Sequence, residues 1–429
     1  MSHKLLVLGG KPIGSCELVK YAKAQGDYVV VADYLAPEAS PAKRLADESW
    51  DASTADVDGL CERCREQGID SVLSGVHEFN LDKMARVAQK MGYPCYCTPE
   101  QFDALRDKGQ FKALCQAHGI PTARRYSYQE AQCLPESAYP LAVKPLDGSG
   151  SRGFSKVANP ADLDAAVDLA RSFSFAGDVV IEDFIDGDAV IIHYTAHQGS
   201  IVYSGIADKC SQKMGDAGAP IMALQIAPSR DEQKYLDELN DKAIALFKDM
   251  GITEGPLWIE AFNRNGSFLF NEMGFRFGGS LTYYLVREMY GIDQLAALYA
   301  CATGSDAGEL VAQPAAGAYA IWPLHLKPGV IARVCGVEDV LRMDGVVACV
   351  QVHGEGDTIE QWGSAQQVFA YVHVKADDAR GLLARMRQVK ETLSVLDKAG
   401  NQMLFSLFDP SDQDEYPSFL RDALVGAEA

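Results

Sequence analysis

The sequence predicts an α/β protein that opens with a parallel sheet and closes in a mixed, partly antiparallel α+β region. Three observations predict it. Residues 5–33 read strand, glycine turn, helix, strand, the pattern of a parallel βαβ unit. Short apolar runs at 141–144 and 179–182 flank a turn-rich loop and a helical pattern, which suits a small α+β lobe. Beyond residue 310, apolar residues alternate with polar ones in several runs, the period of half-buried strands.

Each element follows from its residues. Residues 5–8 are apolar, and Gly9-Gly10-Lys11-Pro12-Ile13-Gly14 turns the chain into a helical pattern through Gln25, followed by the strand 28–33. A helix at 57–67, a strand at 70–74, a helix at 79–91 and the run 94–97 extend this into an N-terminal open α/β domain over 1–105. The glycine turn invites a dinucleotide fold with Asp33 as the ribose acid. It reads Gly-Gly-x-x-x-Gly rather than Gly-x-Gly-x-x-Gly, however, so a structural turn is expected. A helix from about Asp103 to His118 stops at Gly119-Ile120-Pro121, giving a linker helix over 106–122. The small lobe occupies 123–183. A larger lobe over 184–310 holds strands at 190–194 and 201–206, a helix at 231–250 and a hairpin at 257–272. The tail, 311–429, has strands expected at 318–322, 346–352, 368–374 and 402–407.

Composition narrows the function. Among 429 residues, 39 Lys+Arg face 59 Asp+Glu, a net charge of −20, which argues against nucleic-acid binding because phosphate neutralisation needs a basic footprint. No apolar run approaches the roughly 18 residues of a membrane span. The start, Met1-Ser2-His3-Lys4 and four apolar residues, lacks the pattern of a signal peptide, so a cytoplasmic protein is expected. Eleven cysteines, an odd number without a secretion signal, read as reduced thiols; Cys61-x-x-Cys64 and Cys95-x-Cys97 lack a second pair at zinc-ligand spacing.

The chemistry-bearing residues are lysines, glutamates and a glycine loop. Gly148-Ser149-Gly150-Ser151-Arg152-Gly153 follows a strand that carries Lys144, and backbone amides beside a lysine suit a polyphosphate. Glu260 and Glu272 each sit among apolar strand residues across the turn Arg264-Asn265-Gly266-Ser267, and hard carboxylate oxygens there suit Mg²⁺. With a two-residue loop, Glu260 would face Asn271 and the acids would point to opposite sides. With a three-residue loop ending in a bulge, the acids sit cross-strand on one face, and this is the expected register. Arg276, in the glycine-rich turn after Glu272, suits a phosphoryl or carboxylate oxygen. Lys209 and Tyr283-Tyr284 could line the acceptor pocket, with a solvated lysine and core aromatics as the favoured reading. His77-Glu78 ends the third expected strand at the carboxyl edge, where open α/β sheets bind ligands.

Taken together, Asp107-Lys108-Gly109-Gln110-Phe111-Lys112, Gly119-Ile120-Pro121, Val143-Lys144-Pro145 with its loop, Glu182-Asp183-Phe184-Ile185-Asp186-Gly187-Asp188, Trp258-Ile259-Glu260 and Asn271-Glu272-Met273-Gly274-Phe275-Arg276 resemble the ATP-grasp superfamily. The likeness is to its carboxylate-amine ligases over about 1–310, and to the amino-acid-ligase and biotin-carboxylase-like branch in the tail. The resemblance implies an ATP-grasp fold and an ATP-dependent ligase that activates a small carboxylate as an acyl phosphate and joins it to an amine. It implies that Lys108 and Lys144 contact ATP phosphates under the loop Gly148, Ser149, Gly150, Ser151, Arg152 and Gly153. Glu182 would accept the adenine amino group, Phe184 and Ile185 would offer hinge backbone, and Asp188 would hold the ribose. Glu260 and Glu272 would ligate Mg²⁺ or Mn²⁺, with Arg276 and Lys144 as the catalytic cations. Many members read Glu-x-Asn-Pro-Arg where this chain has Glu272-Met273-Gly274-Phe275-Arg276, so an asparagine metal ligand is missing. The expected partners are a small carboxylate and an amine, with no nucleic acid and no membrane, and a homodimer is the candidate assembly. Three alternatives stand beside this reading: a purine-pathway member (phosphoribosylamine-glycine ligase or carboxyaminoimidazole ribonucleotide synthetase), a dinucleotide-dependent oxidoreductase, and a non-catalytic nucleotide-binding module.

Overall fold

Strands that are followed by crossover helices pair in parallel, and the N-terminal residues do so. A computed structural model describes residues 2–146, 153–174, 176–214, 220–264, 266–360, 363 and 365–426. In it β1 (Lys4–Leu8), β2 (Tyr28–Asp33), β3 (Glu48–Asp51) and β4 (Ser71–Ser74) form a parallel sheet of order β3-β2-β1-β4. Leu5 to Leu8 are fully buried because α1 (Ile13–Ala24), α2 (Pro41–Leu45), α3 (Val57–Gln67) and α4 (Glu78–Met91) accompany the sheet, which explains their unbroken apolar run. The short, mostly polar β3 buries only Trp50 and left no periodic signal; residues 94–97 form no strand. The expected helix at 103–118 is two helices, α5 (Pro99–Arg106) and α6 (Lys108–Ala117). Asp107 is extended between them and accepts from the Gln110 N–H at 2.8 Å, so it caps α6 and places Lys108 at its first position.

A second, antiparallel sheet of order β5-β8-β6-β7 comprises β5 (Arg125–Tyr126), β6 (Leu141–Pro145), β7 (Ser155–Val157) and β8 (Val179–Asp183). Next to β5 lies the short α7 (Tyr128–Gln132), and α8 (Leu163–Phe173) covers one face, burying Leu163 and Val167 against Leu141, Val143 and Ile181.

The third sheet is the frame of the molecule. β9 (Asp188–His197), β10 (Ser200–Lys213), β11 (Pro220–Ala227), β12 (Gly255–Arg264) and β13 (Ser267–Gly274) are flanked by α9 (Glu232–Glu238) and α10 (Asn240–Asp249), which replace the single expected helix, and by α11 (Tyr283–Tyr290) and α12 (Gln294–Thr303). The chain then adds β14 (Ala318–Leu326), β15 (Gly329–Val330), β16 (Arg333–Cys335), α13 (Val337–Leu341), β17 (Val346–Gln351), β18 (Thr358–Ile359), β19 (Val368–Ala376), α14 (Ala379–Thr392), β20 (Ser394–Leu396), β21 (Leu404–Phe405) and α15 (Ser418–Gly426). The sheet runs β13-β12-β9-β10-β11-β14-β19-β17, with β21 also pairing β14. Gln225 opposite Ile321 joins β11 to β14, so the sheet continues without interruption across the boundary expected at residue 310. Trp322 on β14 is fully buried and donates its indole N–H to the Phe408 carbonyl at 3.2 Å, which ties the last segment to the same core. No helix among the described residues is long and apolar enough to cross a membrane.

Candidate active site

The hairpin β12–β13 sets the site. Arg264 pairs with Ser267, so the connection is two residues rather than the expected three; Asn265 lies outside the described residues. Glu260 nevertheless faces Glu272. Ala261 pairs with Phe270, so Asn271 is an extra residue on β13, and this bulge shifts the register by one. The two acids share a face as expected, but because of a bulge inside the ladder and not at its tip.

Lysines from other elements close on this face. Lys108 at the start of α6 reaches Glu272 at 2.9 Å, and Lys209 on β10 binds Glu260. Lys144 on β6 donates to Glu182 at 2.5 Å and to the side-chain oxygen of Asn271 at 3.1 Å, and the Asn271 amide donates to Glu260 at 3.3 Å. Lys112, one turn after Lys108, binds the other oxygen of Glu182. Four lysines thus stand against three glutamates, a local positive excess within a chain of net charge −20. Burial opposes ionisation of Glu182, but Lys144 and Lys112 outweigh it and hold the carboxyl below its usual range; Lys108 does the same for Glu272. Lys209 is held above its usual range by Glu260 in spite of burial.

The nucleotide residues implied by the resemblance fare unevenly. Gly148, Ser149, Gly150, Ser151 and Arg152 lie outside the described residues. Gly153, the last of the loop, is left-handed at φ +72°, packed between Pro145 and Phe173. Both oxygens of Glu182 are engaged by lysines, so its first role is that of a buried counter-ion, and an adenine amino group would have to share it. The Phe184 N–H donates to the Pro140 carbonyl at 3.2 Å, which removes it as a free hinge donor, and Lys156 lies 4.1 Å over the Phe184 ring. Ile185 follows it, partly buried. One oxygen of Asp188 takes Arg230 at 2.5 Å and the Ser418 hydroxyl of α15 at 3.0 Å, so a ribose would have to displace these or use the other oxygen.

Arg276 donates to Glu78 at 3.2 Å and to the Phe277 carbonyl at 3.1 Å, and its guanidinium lies 5.1 Å from the Trp258 ring centroid. Glu78, in the first turn of α4, thereby brings the carboxyl edge of the parallel sheet to the site. Lys209 is not solvated, contrary to expectation: it belongs to the acid pair. Lys112 had no role in the sequence reading, although its place four residues after Lys108 was a helical signal. Tyr283 and Tyr284 both donate to Glu17, at 2.9 and 2.8 Å. Asp33 is fully employed inside the N-terminal turn, accepting from Gly10 at 2.7 Å, Ser40 at 2.7 Å and Leu35 at 2.8 Å and pairing with Lys43 at 3.0 Å, which leaves no ribose acid for a dinucleotide.

The model of the ATP-grasp domain matches residues 137–283. The chain carries an ATP-grasp domain. Residues 323–396 match the L-amino acid ligase C-terminal domain 2. Among relatives, the formate-dependent phosphoribosylglycinamide formyltransferase of Erythrobacter litoralis is 28% identical over 63% of this chain and 70% of its own length. Among solved structures, the L-amino acid ligase from Bacillus licheniformis superposes with a TM-score of 0.73 at 20% identity, covering 92% of this chain and 99% of that one. The biotin carboxylase domain of 2-oxoglutarate carboxylase from Hydrogenobacter thermophilus, solved with MgADP, ADP and bicarbonate, gives 0.76 at 18% identity, covering 92% and 91%. The two structures share the fold. The expected ATP-grasp fold and ligase class are borne out, and the ATP-grasp domain contains Lys144, Glu182, Glu260, Glu272 and Arg276.

Two cross-strand carboxylates supply hard oxygen donors, a set that fits Mg²⁺ when phosphate oxygens and water complete the shell. Among the described residues no group of three His, Cys, Asp or Glu could hold a metal without such outside ligands.

Proposed function

We propose that the protein is an ATP- and Mg²⁺-dependent ligase that activates a small carboxylate, an amino acid in the first instance, and joins it to an amine. The observation that carries this reading is the facing Glu260–Glu272 pair, ringed by Lys108, Lys144 and Lys209 and followed by Arg276. Glu260 and Glu272 are the residues that would hold Mg²⁺ or Mn²⁺, which when bound neutralises phosphate charge. Lys108 and Lys144 bind phosphate oxygens, giving up part of their hold on Glu272 and Glu182 as they do. An oxygen of the substrate carboxylate attacks the γ-phosphorus, the bond to ADP breaks, and an acyl phosphate results. The amine then attacks the acyl carbon, phosphate leaves, and the nitrogen loses a proton. Arg276 orients the carboxylate and offsets charge on the acyl phosphate, and catalysis rests on positioning and electrostatics with no enzyme nucleophile. Glu78, in contact with Arg276, is placed to accept from an ammonium group on the acid substrate.

The match of residues 323–396 to an L-amino acid ligase domain favours the amino-acid reading. The likeness to the formyltransferase supports a second one, in which the amine is a phosphorylated ribosyl compound. Purified protein is to be incubated with Mg-ATP and with pools of L-amino acids, small acids and amines. ADP and phosphate formed only when acid and amine are both present is the expected result. ADP with formate and a phosphoribosyl amine alone would favour the second reading, and no ADP from any mixture would overturn both.

A further inference from the structure

The hydrogen bonds of the site leave two donors unused. Trp258 Nε1 and Arg276 Nε are both shielded from solvent, and neither has an acceptor among the described residues. They are neighbours, since the Arg276 guanidinium stacks 5.1 Å from the Trp258 ring centroid. The other Arg276 nitrogens are employed, Nη1 on the Phe277 carbonyl and Nη2 on Glu78, so Nε alone is idle. Buried N–H groups are nearly always satisfied, and two idle ones on neighbouring side chains ask for an acceptor that the described residues do not supply.

The ladder places them beside the acid pair. Trp258 pairs with Gly274 and Glu260 with Glu272, so by the two-residue period all four positions share a face. Position 274 is where a side chain could add a third oxygen ligand. A Cβ there would lie 2.3 Å from Trp258 Nε1 and 2.5 Å from its Cε2, so the indole already fills the space. Gly274 is not among the left-handed glycines; room for the indole, and not backbone conformation, demands glycine. The substitution of an oxygen ligand by an N–H donor reverses the sign of what the position attracts, since an indole N–H binds an anionic oxygen and repels a cation.

We propose that Trp258 Nε1–H and Arg276 Nε–H together hold an oxygen of the carboxylate that is activated, making Trp258 a catalytic residue beside the cation site. This rests on the ligase reading above. The Nε–Nη2 edge of Arg276 is the bidentate edge for a carboxylate, and Glu78 occupies half of it. An incoming carboxylate takes that edge in exchange with Glu78 and gains the indole donor as well.

The chain has four tryptophans, so its ¹⁵N-indole spectrum is simple, and the Trp258 signal is the one lost in Trp258→Phe. Should that variant not fold, contact with the Gly274 Hα assigns the signal in the unaltered protein. Acetate added to the protein with Mg-ADP is expected to move the Trp258 indole proton downfield in a saturable way that chloride at equal ionic strength does not reproduce. In ADP-release assays with the amino-acid pool, Trp258→Phe is expected to raise the KM for the acid or lower kcat by at least about ten-fold while the KM for ATP stays within about two-fold. An indole signal indifferent to both acetate and the pool, or a variant with unchanged acid KM and kcat, overturns the proposal. An indole that responds to acetate in a protein that releases no ADP from any pool sinks the ligase reading and leaves the carboxylate seat standing.

Discussion

Glu272 stands between a lysine and the opposing acid, and its removal tests the site at its centre. Glu272→Gln keeps the size and β-strand context but takes away the Lys108 partner and half of the carboxylate pair. ADP release is expected to fall roughly a hundred-fold or more while circular dichroism shows the fold intact; an active variant would refute the assignment of the acid pair. Asp208 supplies a pH test. It is 2% exposed, accepts from Ser229 at 2.9 Å and the Arg230 N–H at 3.0 Å, and burial pushes its carboxyl up to about 6. A carboxyl raised above its unfolded value takes up its proton in the folded state first, so folding gains stability as pH falls from about 6 towards 4. Glu182 and Glu272, held below their usual range, act in the opposite sense and lose stability as pH falls through their folded values. The comparison of wild type with Asp208→Asn isolates the first effect: on going from pH 7 to pH 4 the wild type should gain up to ~3 kcal/mol relative to the variant in urea unfolding. A constant difference between the two would remove Asp208 as the titrating group. At this scale the acids and Lys108 and Lys144 were legible from their neighbours in sequence. Lys112 and Lys209 were not, because what gives them meaning is a carboxylate 70 or 51 residues away.

The hairpin of β12 and β13 shows how an element carries a site. Turn chemistry favours a two-residue connection, and the chain makes one; what brings Glu260 to Glu272 is the unpaired Asn271, whose side chain is then free to bridge Lys144 and Glu260. One residue past Met273, the strand must be glycine because of Trp258. Gly274→Ala should destabilise by about 1–3 kcal/mol as the new methyl group meets the indole. In a Trp258→Ala background the same change should cost far less, and a chemical-denaturation double-mutant cycle measures that coupling. Additive costs would mean that the two residues do not compete for the same space. The break between α5 and α6 belongs to this scale too. Residues 103–118 look uniformly helical, and only the recognition of Asp107 as a cap separates the two helices and sets Lys108 at a helix start.

Across the whole molecule, the expected tail domain is not a separate sheet. β14 pairs with β11, and β19 and β17 follow, so residues beyond 310 extend the sheet that holds the acid pair. A chain ending at residue 310 would expose the full edge of β11 and the apolar residues Ala223, Leu224 and Ile226 that pack on the tail. Such a fragment is expected to aggregate or to lack a cooperative unfolding transition, read by size-exclusion chromatography and circular dichroism. A soluble fragment with a cooperative transition would support residues 1–310 as a unit that folds without the tail. Arg230 adds a second tie, bridging Asp188 on β9 to Asp422 on α15 at 2.5 and 2.9 Å.

The sequence by itself determined the parallel N-terminal sheet, most of the helices and strands, and Lys108, Lys144, the acids and Arg276 of the candidate site. These are written in local pattern: a period of two or 3.6, a glycine after a strand, a carboxylate between apolar neighbours. The tertiary structure alone decided that the acids meet through a bulge, that Glu182 is shared by two lysines, that Asp188 is held by Arg230 and Ser418, that the tail completes the main sheet, and that Trp258 fills the space above Gly274. Each of these depends on which distant residues share one small volume. No local period records that, because register and charge pairing are settled only when the strands are side by side.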